Sequence, residues 1–142
     1  MNRVSKGVKM GLASDAMLAD KAVLITNLLD SMPYQVFATS SIDAMVHSAE
    51  SFLSPNGCSI SRLFSSEALK LILTCWDKVV KEGGEEAWKR YAAEFLEASN
   101  WAGLGFGYAG CAAVHACAYP LGSVYHIPHG QSNQLMFQDV MK

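Results

Sequence analysis

The sequence predicts a mainly α-helical protein. Apolar residues recur every three or four positions between Pro33 and Ser54 and again in residues 59–82, the spacing that lines one face of an α-helix. Hydrophobic residues make up 51% of the chain and charged residues 17%, so a packed core can form. Residues 21–26 (KAVLIT) are the best candidate for a β-strand. Since one strand alone is not stable, this leading strand is expected to belong to a larger protein.

The boundaries of the first two helices follow from turn residues. Pro33 is well placed to open the first helix, and the SPNG turn at residues 54–57 ends it. The second helix covers roughly residues 59–82, and the glycine pair at 83–84 stops it.

The second half of the chain predicts further helices. Acidic residues at 85–86 suit a helix N-terminus, and a long apolar face follows them. Residues 101–119 are rich in glycine and alanine, which predicts buried helical segments with close backbone approach. Pro120 is expected to end them, and residues 120–128 to form a loop. A last helix is expected to begin near His129.

Composition excludes several classes of function. The formal net charge is −2 and no basic stripe is visible, so nothing favours nucleic-acid binding. No apolar run has the length of a membrane span, and no signal peptide is indicated. The four cysteines form no CxxC pair and are expected to be small buried residues in a reducing compartment. The expectation is a cytoplasmic protein without membrane or nucleic-acid partners.

Two residues of the first helix can share a metal ion. Asp43 and His47 are at positions i and i+4, which places both side chains on one face of the helix. A carboxylate and an imidazole in this arrangement can chelate a divalent cation. The alternative is a surface Asp–His pair that only stabilises the helix.

Two further histidines complete a candidate metal site. His115 lies in an apolar helical segment and needs a polar partner, so it is either a ligand or a satisfied core histidine. His129, between Pro128 and Gly130, is either a ligand or an ordinary residue of a helix start. With Asp43 and His47 they would supply one carboxylate and three imidazoles, a set that suits Fe(II) or Zn(II). His126 receives no ligand role.

A glycine pattern offers a competing interpretation. Residues 105–110 match GxGxxG, which in dinucleotide-binding folds follows a strand and precedes an acidic residue by about twenty positions. Here a helical pattern precedes the glycines, and residues 125–135 contain no acidic residue. These glycines are therefore interpreted as sites of close helix packing.

Two segments of this sequence resemble a known family. DAMVHSAE (43–50) and GCAAVHACAYPLGSVYHIPHGQSN (110–133) are similar to the two signature segments of the iron-containing (group III) alcohol dehydrogenases. The D-x-x-x-H pair, the His-x13-His spacing and the PLG…PHG…N framework all match, and the resemblance covers nearly the whole chain. Within the family, the sequence of these segments is most similar to that of 4-hydroxybutyrate dehydrogenases.

The resemblance implies how the chain is divided and which residues act. Residues 1–30 would be the tail of a nucleotide-binding α/β domain, and residues 31–142 part of a helical metal-binding domain that normally continues further. The metal ligands would be Asp43, His47, His115 and His129. Lys9 would lie near the cofactor, and Tyr119 stands where the family often has a second histidine, close to the substrate. Tyrosine is a poorer base there, but it can hydrogen-bond a substrate oxygen.

The implied activity is NAD(P)-dependent interconversion of an alcohol and an aldehyde, here 4-hydroxybutyrate and succinate semialdehyde, with Fe(II) or Zn(II) as cofactor. A full-length enzyme of this kind is expected to form homo-oligomers. The 142-residue chain alone is expected to be inactive, because the family's glycine-rich cofactor segments lie upstream. The alternatives are a non-catalytic, metal-stabilised helical fragment and a metal-dependent hydrolase or lyase using the same ligands.

Overall fold

The structure is a computed structural model that describes residues 2–3, 8–9, 14–17 and 19–142, with the backbone alone for residues 2, 3, 8, 9 and 15. Helices dominate the described chain: α1 (Tyr34–Leu53), α2 (Ser59–Lys81), α3 (Ala92–Ala109), α4 (Ala113–Val124) and α5 (His129–Val140). Short 3₁₀ helices cover Asp15–Met17, Thr26–Leu29, Gly84–Glu86 and Trp88–Tyr91. Strands β1 (Asn2–Arg3) and β2 (Val8–Lys9) pair antiparallel. The mainly α-helical prediction is confirmed.

Helices α1, α2 and α3 pack against one another and enclose the apolar core. Its centre is aromatic: the Phe37 ring stacks on Trp88 with centroids 4.2 Å apart and meets the edge of Phe95 at 4.8 Å. Small residues such as Ala68 and Ala98 fill the remaining space and are fully buried. The predicted apolar face of α2 is confirmed as buried at Ile72 and Val79, but Val80, which the same pattern included, is exposed.

Helices α4 and α5 form a second layer. They pack against each other, and α5 rests on α1. The SPNG turn and the glycine stop are observed as predicted: α1 ends at Leu53 and α2 at Lys81, and Gly83 adopts a φ of 109°. No helix in the described part of the chain is both long and apolar enough to cross a membrane.

The predicted leading strand at residues 21–26 is wrong. Residues 21–25 have no regular secondary structure, and Thr26 begins a 3₁₀ helix. Val23 is 76% exposed and Ile25 50%, and the sheet among the described residues contains only β1 and β2. A β-prone sequence forms a strand only where a neighbouring strand supplies its hydrogen bonds, so composition alone was not sufficient here.

Two predictions in the second half need correction. Pro120 does not end its helix, because α4 continues to Val124, and the loop is limited to residues 125–128. Proline fixes φ near the helical value and removes one backbone donor, so a helix held by tertiary packing can continue past it. Cys111 and Cys117 are exposed, whereas Cys75 is buried as expected.

The glycines of the GxGxxG pattern lie at the end of α3, after a helix and not after a strand. A Cβ at Gly105 would lie 3.1 Å from the Ser61 carbonyl oxygen of α2. At Gly107 it would meet no atom within 4 Å. Close helix packing is therefore confirmed at Gly105 but not at Gly107.

Candidate metal centre

Helix α1 supplies two donors of the candidate centre. Asp43 and His47 lie one turn apart on its face toward α4 and α5, as their spacing predicted. The Asp43 side chain is 19% exposed, so it lies at the edge of the core and is accessible from one side. The ring of His47 contacts both Phe106, with centroids 4.5 Å apart, and His115, with centroids 4.7 Å apart.

Helices α4 and α5 supply the other two donors. His115 is buried in the first turn of α4, and His129 is the first residue of α5. Their Nε2 atoms lie 3.8 and 3.7 Å from the Asp43 Oδ1 atom. One ligand atom from each of Asp43, His47, His115 and His129 lies within 4.8 Å of the others. The structure therefore brings together all four residues named from the sequence.

Asn133 lies at the centre of this cluster, although the sequence analysis gave it no role. Its Nδ2 atom lies 2.5 Å from Asp43 Oδ1, 3.0 Å from His115 Nε2 and 3.3 Å from His129 Nε2. The side chain is fully buried, and its Oδ1 atom has no hydrogen-bond partner among the described residues. The Asn133 Nδ2 group is thus the shared donor to three acceptor atoms of the cluster. The buried Asn133 Oδ1 atom is left without a donor.

Glu50 is a second residue that the sequence analysis missed. Its carboxylate is 2% exposed, and its Oε2 atom lies 2.6 Å from His115 Nδ1. Burial acts to raise the pKa of Glu50, but hydrogen bonds from His115 and from backbone N–H groups outweigh it, and the pKa lies below its ordinary value. The carboxylate therefore remains ionised inside the protein.

The spacing contained a signal for both missed residues. Glu50 follows His47 by three positions, and Asn133 follows His129 by four. These are the separations that place side chains on the same helix face. Each lies on the helix face of a predicted ligand, so the spacing marked both as neighbours of the candidate site but did not show their contacts.

Burial is the main cause that lowers the pKa of His47 below the ordinary imidazole value. The Asp43 carboxylate opposes this shift, and the two other cluster imidazoles add to it. His47 is therefore neutral at neutral pH, the state in which an imidazole nitrogen has a free lone pair.

Tyr119 lies one turn after His115 on α4 and is half-buried. Its ring centroid is 6.5 Å from that of His115 and 6.4 Å from that of His129. Burial, followed by the neighbouring Cys111, raises the pKa of the Tyr119 phenol. The Tyr119 phenol therefore keeps its proton at neutral pH and can donate a hydrogen bond beside the cluster.

The remaining sequence predictions concern His126 and Lys9. His126 is exposed in the loop before α5, has a φ of 57°, and lies outside the cluster. The backbone of Lys9 lies in β2, which packs on α4. The Lys9 side chain is outside the described residues, so its cofactor role stays a prediction.

The helical fold and its compact group of nitrogen and oxygen donors are typical of a metal-binding enzyme domain. Residues 37–142 match the C-terminal part of the Fe-containing alcohol dehydrogenase family. The chain belongs to this family.

Similar proteins include several dehydrogenases. A 4-hydroxybutyrate dehydrogenase from Clostridium kluyveri is 41% identical over 138 residues, which are 94% of this chain and 36% of that protein. A 1-propanol dehydrogenase from Salmonella typhimurium is 31% identical over 137 residues, which are 96% of this chain and 36% of that protein. The chain thus spans about a third of the length of these relatives.

Solved structures show the same helical arrangement. A 1,3-propanediol oxidoreductase superposes with a TM-score of 0.73 at 27% identity, over 81% of this chain and 29% of the other. A sulfoacetaldehyde reductase from Bifidobacterium kashiwanohense, crystallised with NAD+, superposes with a TM-score of 0.69 at 29% identity, over 81% and 30%.

Proposed function

We propose that this chain is the helical, metal-binding part of an NAD(P)-linked alcohol dehydrogenase that interconverts 4-hydroxybutyrate and succinate semialdehyde. The observation that carries the proposal is the convergence of one carboxylate and three imidazoles from three helices within 4.8 Å. The substrate rests on the 41% identity to a 4-hydroxybutyrate dehydrogenase. The use of NAD rests on the neighbour crystallised with NAD+.

The residues of the cluster fit a divalent metal ion. The Asn133 Nδ2 atom lies within 3.3 Å of Asp43 Oδ1 and of two imidazole nitrogens, and the Asn133 Oδ1 atom has no hydrogen-bond partner among the described residues. A divalent cation would satisfy these lone pairs better than one amide. Mixed nitrogen and oxygen ligation suits Fe(II) or Zn(II). The ligands would be Asp43, His47, His115 and His129.

When bound, the ion would supply Lewis acidity toward a carbonyl or alcohol oxygen. The protein's own contribution is to hold the substrate and exclude water. Tyr119 would donate a hydrogen bond from its neutral phenol to the substrate oxygen, because its raised pKa keeps the proton on the ring oxygen. The aromatic wall of Phe106 beside His47 would limit the access of water from the α3 side.

The same proposal assigns the parts of the chain to two domains. Residues 1–30 would belong to a nucleotide-binding domain and residues 31–142 to the helical domain. Lys9 would approach the cofactor from β2, the strand that packs on α4. Hydride exchange itself would require NAD(P) held by the nucleotide-binding domain.

Metal binding tests the site directly. We expect the chain to bind about one Zn²⁺ or Fe²⁺ ion at a site with four protein donors. His115→Ala and Asp43→Ala each should weaken binding more than about tenfold, since even residues that only support a ligand have effects of that size. His126→Ala removes an exposed histidine outside the cluster and is the matched control. Equal metal affinity in the wild type and both cluster variants would contradict the proposal.

The substrate is tested in a protein that joins this chain to a nucleotide-binding domain. We expect NAD-linked oxidation of 4-hydroxybutyrate to exceed that of 1-propanol under matched conditions. A preference for 1-propanol would favour the chemistry named for the Salmonella typhimurium relative. Metal binding without turnover of either alcohol would favour a non-catalytic metal-stabilised domain.

A further inference from the structure

Glu50 connects α1 to the beginning of α4 through a buried carboxylate. It accepts hydrogen bonds from the backbone N–H groups of Ala112 at 3.1 Å and Val114 at 2.6 Å, in addition to its contact with His115. With an exposed fraction of 2%, the carboxylate has no access to bulk water. A buried charge of this kind is stable only when its lone pairs are satisfied, and here three donors satisfy them.

The backbone contacts explain how α4 begins. The residue before its first turn is Ala112, whose side chain cannot cap the helix. The carboxylate of Glu50, a residue of α1, caps α4 instead, and its negative charge suits the positive end of the α4 dipole. The register of α4 is therefore fixed by α1, the helix that also holds Asp43 and His47.

The side-chain contact determines which nitrogen of His115 carries the proton. Two backbone N–H groups already donate to the Glu50 carboxylate, and His115 Nδ1, 2.6 Å from Oε2, is placed to be its third donor. With the proton on Nδ1, the lone pair of the ring lies on Nε2, the atom that faces Asp43 at 3.8 Å. The Asn133 amide nitrogen lies 3.0 Å from the same Nε2 atom, which agrees with a lone pair at that position.

We propose that Glu50 is a positioning residue that orients the His115 ring and fixes its Nδ1–H tautomer, so that Nε2 is available to a metal ion. The metal part of this inference rests on the proposed function. Mutation of a residue that hydrogen-bonds to a histidine ligand typically weakens metal affinity about 10–100-fold.

The first test needs no variant. In the metal-free wild-type chain, ¹⁵N NMR of the histidine side chains should show His115 protonated at Nδ1. A His115 protonated at Nε2 would overturn the inference. This measurement does not depend on metal binding, so it tests Glu50 separately from the proposed function.

The second test compares two variants that each remove a buried contact of α1. Glu50→Gln keeps the size of the side chain but cannot accept from all three donors, because its amide group donates. Ser54→Ala is the matched control: Ser54 is buried and donates from Oγ to the Ala109 carbonyl at 2.7 Å, linking the end of α1 to the end of α3 without contacting a cluster residue.

We expect Glu50→Gln to shift the His115 proton to Nε2 and to weaken Zn²⁺ binding about 10–100-fold. Ser54→Ala should lower the thermal unfolding temperature without changing either property. Unchanged Zn²⁺ affinity in Glu50→Gln, or an equal loss in both variants, would show that Glu50 is only structural. If the wild type and His115→Ala bind Zn²⁺ equally, the proposed metal site fails, whereas loss of the Nδ1–H tautomer in Glu50→Gln would still establish the positioning role.

Discussion

The backbone of Gly130 lies so close to Thr39 that a Cβ atom at position 130 would be 2.9 Å from the Thr39 carbonyl carbon and closer still to its oxygen. This contact joins the first turn of α5 to α1, next to His129. The backbone atoms of Thr39 are held in the helix and cannot move aside cheaply. The close approach therefore sets the distance between the two helices at the candidate metal centre.

Gly130→Ala should separate α5 from α1. We expect a loss of about 1–3 kcal/mol in the free energy of unfolding, the usual cost of overpacking, together with weaker Zn²⁺ binding because His129 moves with the helix. Urea unfolding and Zn²⁺ titration measure both effects. Gly103→Ala is the control, since a Cβ at that helical position meets nothing within 4 Å and should be neutral or stabilising. Equal stability of the two variants would contradict the packing argument.

Gly105→Ala should destabilise the contact between α3 and α2. The added Cβ would collide with the Ser65 hydroxyl, which is fully buried and bonded to the Ser61 carbonyl at 2.8 Å and to the Ser51 hydroxyl at 2.7 Å. Displacing it breaks these bonds, so we expect a loss of about 1–3 kcal/mol. The melting temperature of Gly105→Ala is compared with that of Gly107→Ala, a variant of the same helix whose added Cβ meets no atom within 4 Å. If Gly105→Ala melts at the same temperature as Gly107→Ala or higher, the predicted destabilisation is wrong.

Trp88→Ala should be the most damaging core substitution. Trp88 is 1% exposed and stacks on Phe37 at 4.2 Å. Its removal leaves a large cavity, for which we expect a loss of about 3–5 kcal/mol. Val80→Ala, at a residue that is 70% exposed, should change stability by less than about 0.5 kcal/mol in the same urea experiment. A small effect of Trp88→Ala would show that the aromatic cluster does not form the core.

Cys58 should react with iodoacetamide at lower pH than Cys75. The backbone N–H of Ser61 donates to the Cys58 sulfur at the start of α2 and lowers the pKa of that thiol, whereas burial raises the pKa of Cys75. The lower pKa gives Cys58 the larger thiolate fraction at any pH below the ordinary value of 9.0. Alkylation followed by mass spectrometry from neutral to alkaline pH measures both residues in one sample. Faster labelling of Cys75 in the native protein would refute this.

Asn133→Ala should destabilise the metal-free chain more than the Zn²⁺-bound chain. Without the amide, Asp43 Oδ1 loses its 2.5 Å hydrogen bond from Asn133, so we expect a loss of about 1–3 kcal/mol in the presence of a chelator. A bound ion would satisfy the same lone pairs and reduce the loss. Urea unfolding with EDTA and with Zn²⁺ tests this, with the exposed neighbour Gln134→Ala as control. An equal loss under both conditions would count against a metal ion at this position.

The parts of the fold that were predictable are those decided by local pattern. The apolar spacing around Phe37 and Ile72 predicted α1 and α2, because burial of one helix face repeats every three or four residues. The segment containing Val23 could not be assigned in this way, since a strand depends on a neighbour that the segment itself does not encode. Pro120 was misjudged because a local rule about proline was outweighed by the packing of α4 on α5.

The candidate site could be predicted where its residues are of types that commonly bind metal ions. Histidine and aspartate are common metal ligands, so His115 and Asp43 could be named as candidate ligands from the sequence. Glu50 and Asn133 were missed because a glutamate and an asparagine in helices have many ordinary roles. Only the fold shows that one is buried behind His115 and the other is central to the cluster.

The separation of Asp43 and Asn133 by 90 positions has a consequence for the order of events during synthesis. Helices α1 to α3 leave the ribosome first and can pack on one another before α4 and α5 exist, although α1 is covered fully only when α5 packs on it. Until α4 has emerged, the chain presents only Asp43 and His47 of the four candidate donors, and until α5 has emerged, His129 is still missing. The four candidate donors therefore come together only after α5 has emerged and packed, so the proposed metal ion would be bound after the first three helices have formed.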